Sequence, residues 1–333
     1  MKFFMRLPKF SYVLLGLLLL TLFTQSSYFL DIIIISFIWA AAAGAWNISG
    51  GYAGQFSLGH AGYLGVGAYT STLLYIHFGL SPWIGMIVGG ILAAVFAFVI
   101  GVVTFRLKGP FFTLSTIAFA ELVYISVTQL RDITQGAMGL SIPFDTGVAN
   151  FIFNEPRTYA VVAFVLMVLG YIISYVIQTS KLGYYLIAMR EDTDAAQSLG
   201  VNITFVKLFS TSLSAFLTAI AGTFMAQYIM FIEPENILAL SISIQIAMFA
   251  IVGGMNDASG PIIGALLLSP LGIFLRGYAT EIAGLHLFIY GLILVLVVLY
   301  QPNGIVAGIE KLLKRKASKA DWRGQDVSKR NIA

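Results

Sequence analysis

Long apolar runs, separated by short polar segments, recur from one end of the chain to the other. The runs are continuous and do not alternate with polar residues, so they predict helices and not the strands of a membrane barrel. A helix needs about 20 residues to cross the hydrocarbon core of a bilayer. The pattern predicts an all-α, polytopic helical integral membrane protein with about ten transmembrane helices. The predicted spans are 10–30, 32–49, 57–77, 83–105, 111–130, 157–179, 205–230, 239–254, 260–276 and 282–301.

Lys and Arg are distributed unequally between the two sides of this predicted topology. With the N-terminus inside and ten spans, sixteen of the 19 Lys and Arg residues fall on the inner side. The other three are Arg131, Arg157 and Arg276. Positively charged residues collect on the cytoplasmic side of membrane proteins. The bias therefore predicts that both termini lie in the cytosol.

This topology divides the chain into segments with different expected surroundings. Residues 1–306 form the predicted transmembrane domain, and 307–333 form a basic cytosolic tail. The longest external loop is 131–156, which is the natural face for an extracytoplasmic partner. The 180–204 segment is polar, lies between two apolar spans and is predicted to be cytosolic.

The composition is that of a membrane protein, and it argues against disulfide bonds and metal sites. Hydrophobic residues make up 59% of the chain and charged residues 10%, whereas a soluble domain carries roughly 25% charged residues. The chain has no cysteine and only three histidines, so we expect no disulfide and no metal site. The basic tail is expected to face anionic lipid and not nucleic acid.

Two clusters of glycines interrupt the apolar pattern. The first runs from Ser49 to Gly62, and the second from Gly253 to Pro261. Paired glycine-interrupted segments are a usual pointer to a translocation path. Small residues at a spacing of four, such as Gly85 and Gly89, also allow helices to pack closely. Both interpretations stay open. The candidate path residues are Gln55, Ser57, His60, Tyr63, Glu121, Gly253 and Gly254.

Among these candidates, Glu121 costs the most free energy to place in the membrane, because it is ionisable and lies near the middle of the span 111–130. An ionisable side chain at the bilayer centre costs on the order of 2.5–3.5 kcal/mol on insertion scales. We therefore expect Glu121 to face the interior of the bundle, either as a polar contact along the path or as a carboxyl that joins two helices. A proton-carrying role would favour an ion-gradient-driven secondary transporter, which is an alternative from a different class.

The 180–204 segment predicts two short helices. The first includes the amphipathic stretch 184–190. Asp192, Thr193 or Asp194 can cap the second, and Asp194 with Gln197 forms a pair that resembles a capping box. Gly200 suits the left-handed position that follows a helix. An ordinary solvated loop with a capped turn is the alternative interpretation.

The same segment resembles a coupling loop. Residues 194–200, with the sequence DAAQSLG, resemble the E-A-A-x-x-x-G loop of ABC importer permeases, with Asp in place of Glu. A wider resemblance, over roughly residues 30–305, is to the LivM-type permease of branched-chain amino acid uptake. It rests on 51–67, 107–121, 135–140, 187–202 and the segment at 253–254. Gln135 and Ala137 depart from the threonine and glycine expected there.

This resemblance implies a permease subunit of an ABC importer in the bacterial inner membrane. The implied partners are two cytosolic ABC ATPase subunits, a LivH-like second permease and an extracytoplasmic substrate-binding protein. ATP and Mg²⁺ would be used by the ATPase, and no cofactor is expected on this chain. Urea-type members share much of the pattern, so a urea or short-amide importer is an alternative. The implied ATPase-coupling residues are Arg190, Glu191, Asp192, Asp194, Ala195, Ala196 and Gly200.

The residues themselves agree that the chain is not an enzyme. No Gly-x-x-x-x-Gly-Lys-Ser/Thr phosphate loop occurs in the sequence. No set of paired carboxylates, Ser/His/Asp residues or zinc ligands is evident either. If ATP drives transport, we expect the ATPase to be a separate polypeptide.

Overall fold

The computed structural model describes residues 3–105, 110–278, 285–301, 304–308 and 311. The long helices are α1 (Phe3–Phe23), α2 (Ser27–Asn47), α3 (His60–Phe78), α4 (Pro82–Thr104), α5 (Pro110–Gln129), α7 (Pro156–Thr179), α10 (Ile203–Ile229), α12 (Leu240–Gly253), α13 (Ser259–Tyr278) and α14 (Leu285–Tyr300). Short helices are α6 (Arg131–Thr134), α8 (Lys181–Glu191), α9 (Thr193–Ser198) and α11 (Pro234–Ile237). A π-helical turn, Ile48–Tyr52, continues α2, and a 3₁₀ turn covers Gly136–Met138. The strands β1 (Leu140–Ser141) and β2 (Phe231–Ile232) form one antiparallel pair.

The helical architecture confirms an all-α polytopic membrane protein. Seven helices of the described part are long and apolar enough to cross a membrane, and two shorter apolar helices, Phe10–Phe23 and Phe288–Val297, accompany them. The predicted boundary between the first two spans is wrong. The first helix ends at Phe23 and the next begins at Ser27, because polar residues 24–26 interrupt the helix although the apolar pattern resumes directly after them. Part of the predicted span 282–301 and most of the tail 307–333 lie outside the described residues.

The helix α2 and its π-helical continuation lie at the centre of the fold. In this span, 72% of the apolar window is buried, against 28% for Phe111–Gln129 of α5. Phe37 and Trp46 are fully buried, and α2 packs against α7, α10, α12 and α13. An apolar surface on every side suits a helix that other helices surround.

Small residues bring α3, α4 and α10 into close contact. A Cβ atom at Gly67 would lie 2.0 Å from the carbonyl oxygen of Ala219, and one at Gly222 would lie 2.0 Å from that of Leu64. Gly85 and Gly89 of α4 pack against Ser71 and Gly67 of α3. The predicted role of this glycine pair in helix packing is confirmed. The backbones approach so closely because no side chain separates them.

Four connecting segments meet at one end of the bundle. Thr113 Oγ1 donates to the carbonyl oxygen of Phe56 at 2.7 Å, and Gln178 Nε2 donates to that of Asn256 at 2.9 Å. Arg190 reaches two of the other segments, as described below. The segments are 53–59, 180–202, 254–258 and the one that leads into α5, whose first turn is 110–113. The charge count predicts that the corresponding loops, 50–56, 106–110, 180–204 and 255–259, lie on the same side of the membrane.

The 131–156 loop lies at the opposite end and is folded against the bundle. Leu140 pairs with Ile232 across the two strands. Trp83 Nε1 donates to the carbonyl oxygen of Val148 at 2.8 Å, and Phe151 is fully buried. The loop therefore presents an ordered surface at this end.

Which end faces the cytosol can be measured directly, because the chain has no cysteine of its own. Gln197 and Thr146 are exposed at opposite ends of the bundle. We expect a membrane-impermeant thiol reagent, added to intact cells, to label the Thr146→Cys variant and not Gln197→Cys. Inside-out vesicles should reverse the result. Labelling of Gln197→Cys in intact cells would contradict the predicted topology.

The close packing of α3 and α10 predicts that the stability of the fold depends strongly on Gly222. The Gly222→Ala variant places a methyl group against the backbone of Leu64, and overpacking of this kind costs about 1–3 kcal/mol. Gly170 of α7 is the matched control, since a Cβ there meets nothing within 4 Å. We expect thermal unfolding in detergent to show a lower midpoint for Gly222→Ala and an unchanged or higher one for Gly170→Ala. Equal midpoints would show that the contact carries no stability.

Candidate coupling and translocation site

The 180–204 segment folds as two short helices, as the sequence predicts. Ser180 caps α8 by accepting from the Gly183 amide. Asp192 caps α9, and its Oδ1 atom accepts from the amides of Asp194 and Ala195, both at 3.0 Å. Of the three residues predicted as possible caps, Asp192 is the one that caps the helix. The prediction that Asp194 caps together with Gln197 is wrong, because Asp194 already lies inside the helix.

Gly200 ends this helical segment in the left-handed conformation. Its φ angle is +84°, which a residue with a side chain adopts only with strain. The amide of Gly200 donates to the carbonyl oxygen of Gln197 at 2.9 Å, and that of Val201 donates to Ala196 at 3.2 Å. The predicted conformation of Gly200 is confirmed.

One face of the two short helices packs onto the π-helical turn that ends α2. Leu186, Met189 and Ala196 are buried, and they form one apolar cluster with Ile48 and Tyr52. Ala196, one of the ATPase-coupling residues implied by the resemblance, is buried in the protein's own core. Ala195, by contrast, is exposed.

The other face is exposed and combines acidic with apolar side chains. Glu191, Asp192, Asp194 and Gly200 all lie on it. Leu199 is 84% exposed there, and sequence reasoning overlooked it. Tyr184 of α8 is also exposed at 68%. The exposed surface of the 180–204 segment therefore carries carboxylates together with two large side chains, Leu199 and Tyr184.

Arg190 points inward from the end of α8 to both glycine-interrupted segments. Its Nη1 atom donates to the carbonyl oxygen of Gly51 at 2.9 Å and to Asn256 Oδ1 at 3.1 Å. Its Nη2 atom pairs with Glu191 Oε1 at 3.0 Å. The side chain is 28% exposed. The structure therefore joins the 180–204 segment to both glycine clusters through one guanidinium group.

The first glycine cluster forms a break between two helices, in which Gly54 and Phe56 are exposed and Ser57 is buried. After the π-helical turn, Gly54 has a φ angle of +66°, and helix α3 begins at His60. Gln55 is half-buried at the end of the bundle where the 180–204 segment lies. The carbonyl oxygen of Ser57 accepts from Trp46 Nε1 at 2.7 Å.

The predicted path candidates of α3 lie in a buried polar cluster. His60 Nε2 is 2.8 Å from Ser214 Oγ, which donates to the carbonyl oxygen of Ala45 at 2.6 Å. Ser57, His60 and Tyr63 are almost fully buried. The cluster thus joins α2, α3 and α10 through hydrogen bonds.

The second glycine cluster packs α12 against α13. A Cβ at Gly253 would lie 1.9 Å from the carbonyl oxygen of Gly260, while Gly254 has a φ angle of +120°. A Cβ at Gly51 would lie 2.8 Å from the carbonyl oxygen of Met255. The glycines of both clusters therefore serve close packing, and they bring the two breaks into contact.

Glu121 lies on the outer surface of the chain. The expectation that it faces the interior of its own bundle is wrong. It is exposed on α5 together with Leu114, Leu122 and Ile125, at a helical spacing that forms one face. The buried side of α5 is instead occupied by Phe112, Phe119 and other apolar residues. An ionisable side chain near the middle of an apolar helix is costly where lipid covers it.

Comparisons with known proteins show the family to which the chain belongs. The sequence model of the family described as "Branched-chain amino acid transport system / permease component" matches residues 28–298. The chain is similar to the high-affinity branched-chain amino acid transport system permease protein LivM of Salmonella typhimurium, with 28% identity over 314 residues, 87% of this chain and 72% of the relative.

Other relatives bear different names. The chain is similar to the probable branched-chain amino acid transport permease protein LivH of Methanocaldococcus jannaschii, with 26% identity, 77% of this chain and 84% of the relative covered. It is also similar to the fructose import permease protein FrcC of Rhizobium meliloti, with 26% identity over 67% of this chain and 64% of the relative. No solved structure matches it. Since the family model covers most of the chain, the protein belongs to the family of permease components of branched-chain amino acid transport systems.

Proposed function

We propose that this chain is the membrane-spanning permease subunit of an ABC importer for branched-chain amino acids. The observation that carries the proposal is the 180–204 segment within a chain of this family. It is polar and folded, and it exposes Leu199 beside several carboxylates. The names of the LivM relatives support the substrate class.

In this proposal the exposed face of the 180–204 segment receives a cytosolic ATPase subunit. Asp192, Asp194, Ala195 and Leu199 form the contact, and Glu191 sets its register through charge. Closure of two ATPase subunits, which hold ATP and Mg²⁺, displaces α8 and α9. The spans then rock to open the path on alternate sides of the membrane. An extracytoplasmic binding protein delivers the amino acid to the end formed by the 131–156 loop.

A second permease subunit covers the face of α5 that carries Glu121. Lipid is a poor neighbour for a carboxyl group at this depth, whereas a partner subunit or a water-filled path between two subunits satisfies it. The similarity to a protein named LivH supports a related second subunit. The central path would then run beside Glu121, between the subunits. Selectivity would reside mainly in the binding protein. A tight site for an amino acid must compensate both of its charges, and Glu121 is the one carboxyl among the path candidates of this chain.

Reconstitution tests the proposed function. We expect leucine, isoleucine and valine to enter proteoliposomes only when this chain is combined with the second permease, the ATPase subunits, ATP and the binding protein. A proton or sodium gradient imposed on vesicles with this chain alone should give no uptake. Gradient-driven uptake by the lone chain would overturn the ABC assignment in favour of a secondary transporter. ATP-dependent uptake of urea with no uptake of these amino acids would overturn only the substrate class.

Thiol accessibility in the assembled complex tests the position of Glu121. We expect a small water-soluble thiol reagent to modify Glu121→Cys faster than Ile91→Cys, because the first side chain faces a polar path. Ile91 of α4 is the matched control, since it is 54% exposed and lies at a similar distance from the same end of the bundle. Equal and slow modification of both variants would show that lipid or a dry interface covers α5.

A further inference from the structure

The guanidinium group of Arg190 lies at the carboxyl end of a broken helix. The π-helical turn ends at Tyr52, and the last carbonyl groups of a helix have no partner within that helix. Arg190 donates to one of them, the carbonyl oxygen of Gly51, at 2.9 Å. A cation in this position also interacts favourably with the negative end of the helix dipole. The contact is therefore a charge-assisted cap on an interrupted span.

The same group holds the second break through Asn256. This residue follows the carboxyl end of α12, and its Oδ1 atom accepts from Arg190 at 3.1 Å. The backbone of the same loop is held by Gln178, at the end of α7. Gln178 Nε2 donates to the Asn256 carbonyl oxygen at 2.9 Å, and its Oε1 atom accepts from the Ala258 amide at 3.3 Å. The loop that joins α12 to α13 is thus attached at two points to the region where the 180–204 segment begins.

The aliphatic part of the Arg190 side chain also packs closely against the first break. A Cβ atom at Gly54 would lie 2.7 Å from Arg190 Cγ, so the aliphatic chain lies directly against the glycine backbone. Leu186 and Met189 of the same helix are buried with Ile48 and Tyr52. Helix α8 therefore contacts the first break through apolar packing and through Arg190 together. Movement of α8 alone would expose this apolar surface and leave the Gly51 carbonyl group without its charged donor.

We propose that Arg190 is an internal positioning residue that transmits displacement of the 180–204 segment to both glycine-interrupted spans, and that it is not a contact for the ATPase. The inference rests on the proposed function, because it assigns a role within the coupling step. The hydrogen bonds of Arg190 to Gly51 and Asn256, here called the Arg190 bridge, make α8, the first break and the second break move together. Loss of the bridge separates ATP hydrolysis from transport and does not separate the subunits.

The test measures amino-acid uptake and ATP hydrolysis in the same proteoliposomes, with the complete complex. The variants are Arg190→Ala, Arg190→Lys, Asn256→Ala and the double variant. Lys181→Ala is the matched control, since Lys181 is an exposed cation at the start of the same helix. For Arg190→Ala we expect normal co-purification of the ATPase subunits and a fall of about fivefold or more in uptake per ATP hydrolysed, the lower end of typical allosteric coupling.

The remaining variants separate positioning from a general structural role. Arg190→Lys keeps the charge and a donor, and we expect it to recover most of the coupling. Asn256→Ala should lower uptake per ATP less than Arg190→Ala does, and the double variant should be no worse than Arg190→Ala alone, because both changes break one bridge. Lys181→Ala should behave as the wild type. If Arg190→Ala reduces the amount of folded chain, Arg190→Lys and Asn256→Ala give the same comparison.

Two results would overturn the inference. One is an unchanged ratio of uptake to hydrolysis in both Arg190→Ala and Asn256→Ala. The other is a loss of ATPase co-purification in Arg190→Ala with normal coupling in the complexes that remain, which would make Arg190 a docking contact. Absence of ATP-dependent uptake by the wild-type complex would instead defeat the proposed function.

A double-mutant cycle on the thermal stability of the isolated chain would then still test the Arg190 bridge. Additive effects of Arg190→Ala and Asn256→Ala on the stability would refute the bridge.

Discussion

The end of a helix leaves backbone carbonyl groups without partners inside that helix, and in this protein the contacts that cover two glycine-rich breaks at one end of the bundle organise the structure around them. At the first break the chain supplies its own partners. The Gln55 amide donates to the Ser49 carbonyl oxygen, Trp46 donates to Ser57, and Arg190 donates to Gly51. The two breaks also touch each other, because the backbone of Gly51 lies close to that of Met255. Glycine is required where backbone meets backbone, at Gly51 and at Gly253.

The features that the sequence predicted best are those in which a local pattern has only one physical outcome. Continuous apolar runs predict long helices, and seven helices of the described part are long and apolar enough to cross a membrane. A polar segment with a capping residue and a late glycine predicts a short helix that ends in the left-handed conformation, as Gly200 does. The charge count grouped four connecting segments on one side, and those segments meet at one end of the bundle.

The features that the sequence predicted poorly depend on which side of a helix faces the rest of the protein. In water an apolar face marks the core, but in a bilayer both lipid and core accept apolar side chains. The span of α4 is strongly apolar, yet only 33% of its window is buried, against 72% for α2. Glu121 was assigned to the interior by cost alone, and cost does not distinguish the chain's own core from the surface that a second subunit covers. Ala196, which the resemblance implies as a coupling residue, is buried, and a small side chain suits close approach by the chain itself as well as by a partner. The inward direction of Arg190 depends on contacts between segments far apart in sequence, and no local pattern contains them.

The first break also connects the 180–204 segment to the face that carries Glu121. Arg190 and the buried side of α8 hold residues 51–54 from one side. On the other side, Thr113 of α5 donates to the Phe56 carbonyl oxygen, and the Leu58 amide donates to Thr116 Oγ1 at 3.0 Å. Residues 51–58 are thus held between α8 and the start of α5. Packed elements with specific hydrogen bonds shift as units and do not deform continuously, so this segment is the route by which, under the proposed function, displacement of α8 would reach α5. In the proposed importer, an ATPase that moves the 180–204 segment would in this way move the helix face beside which the substrate passes.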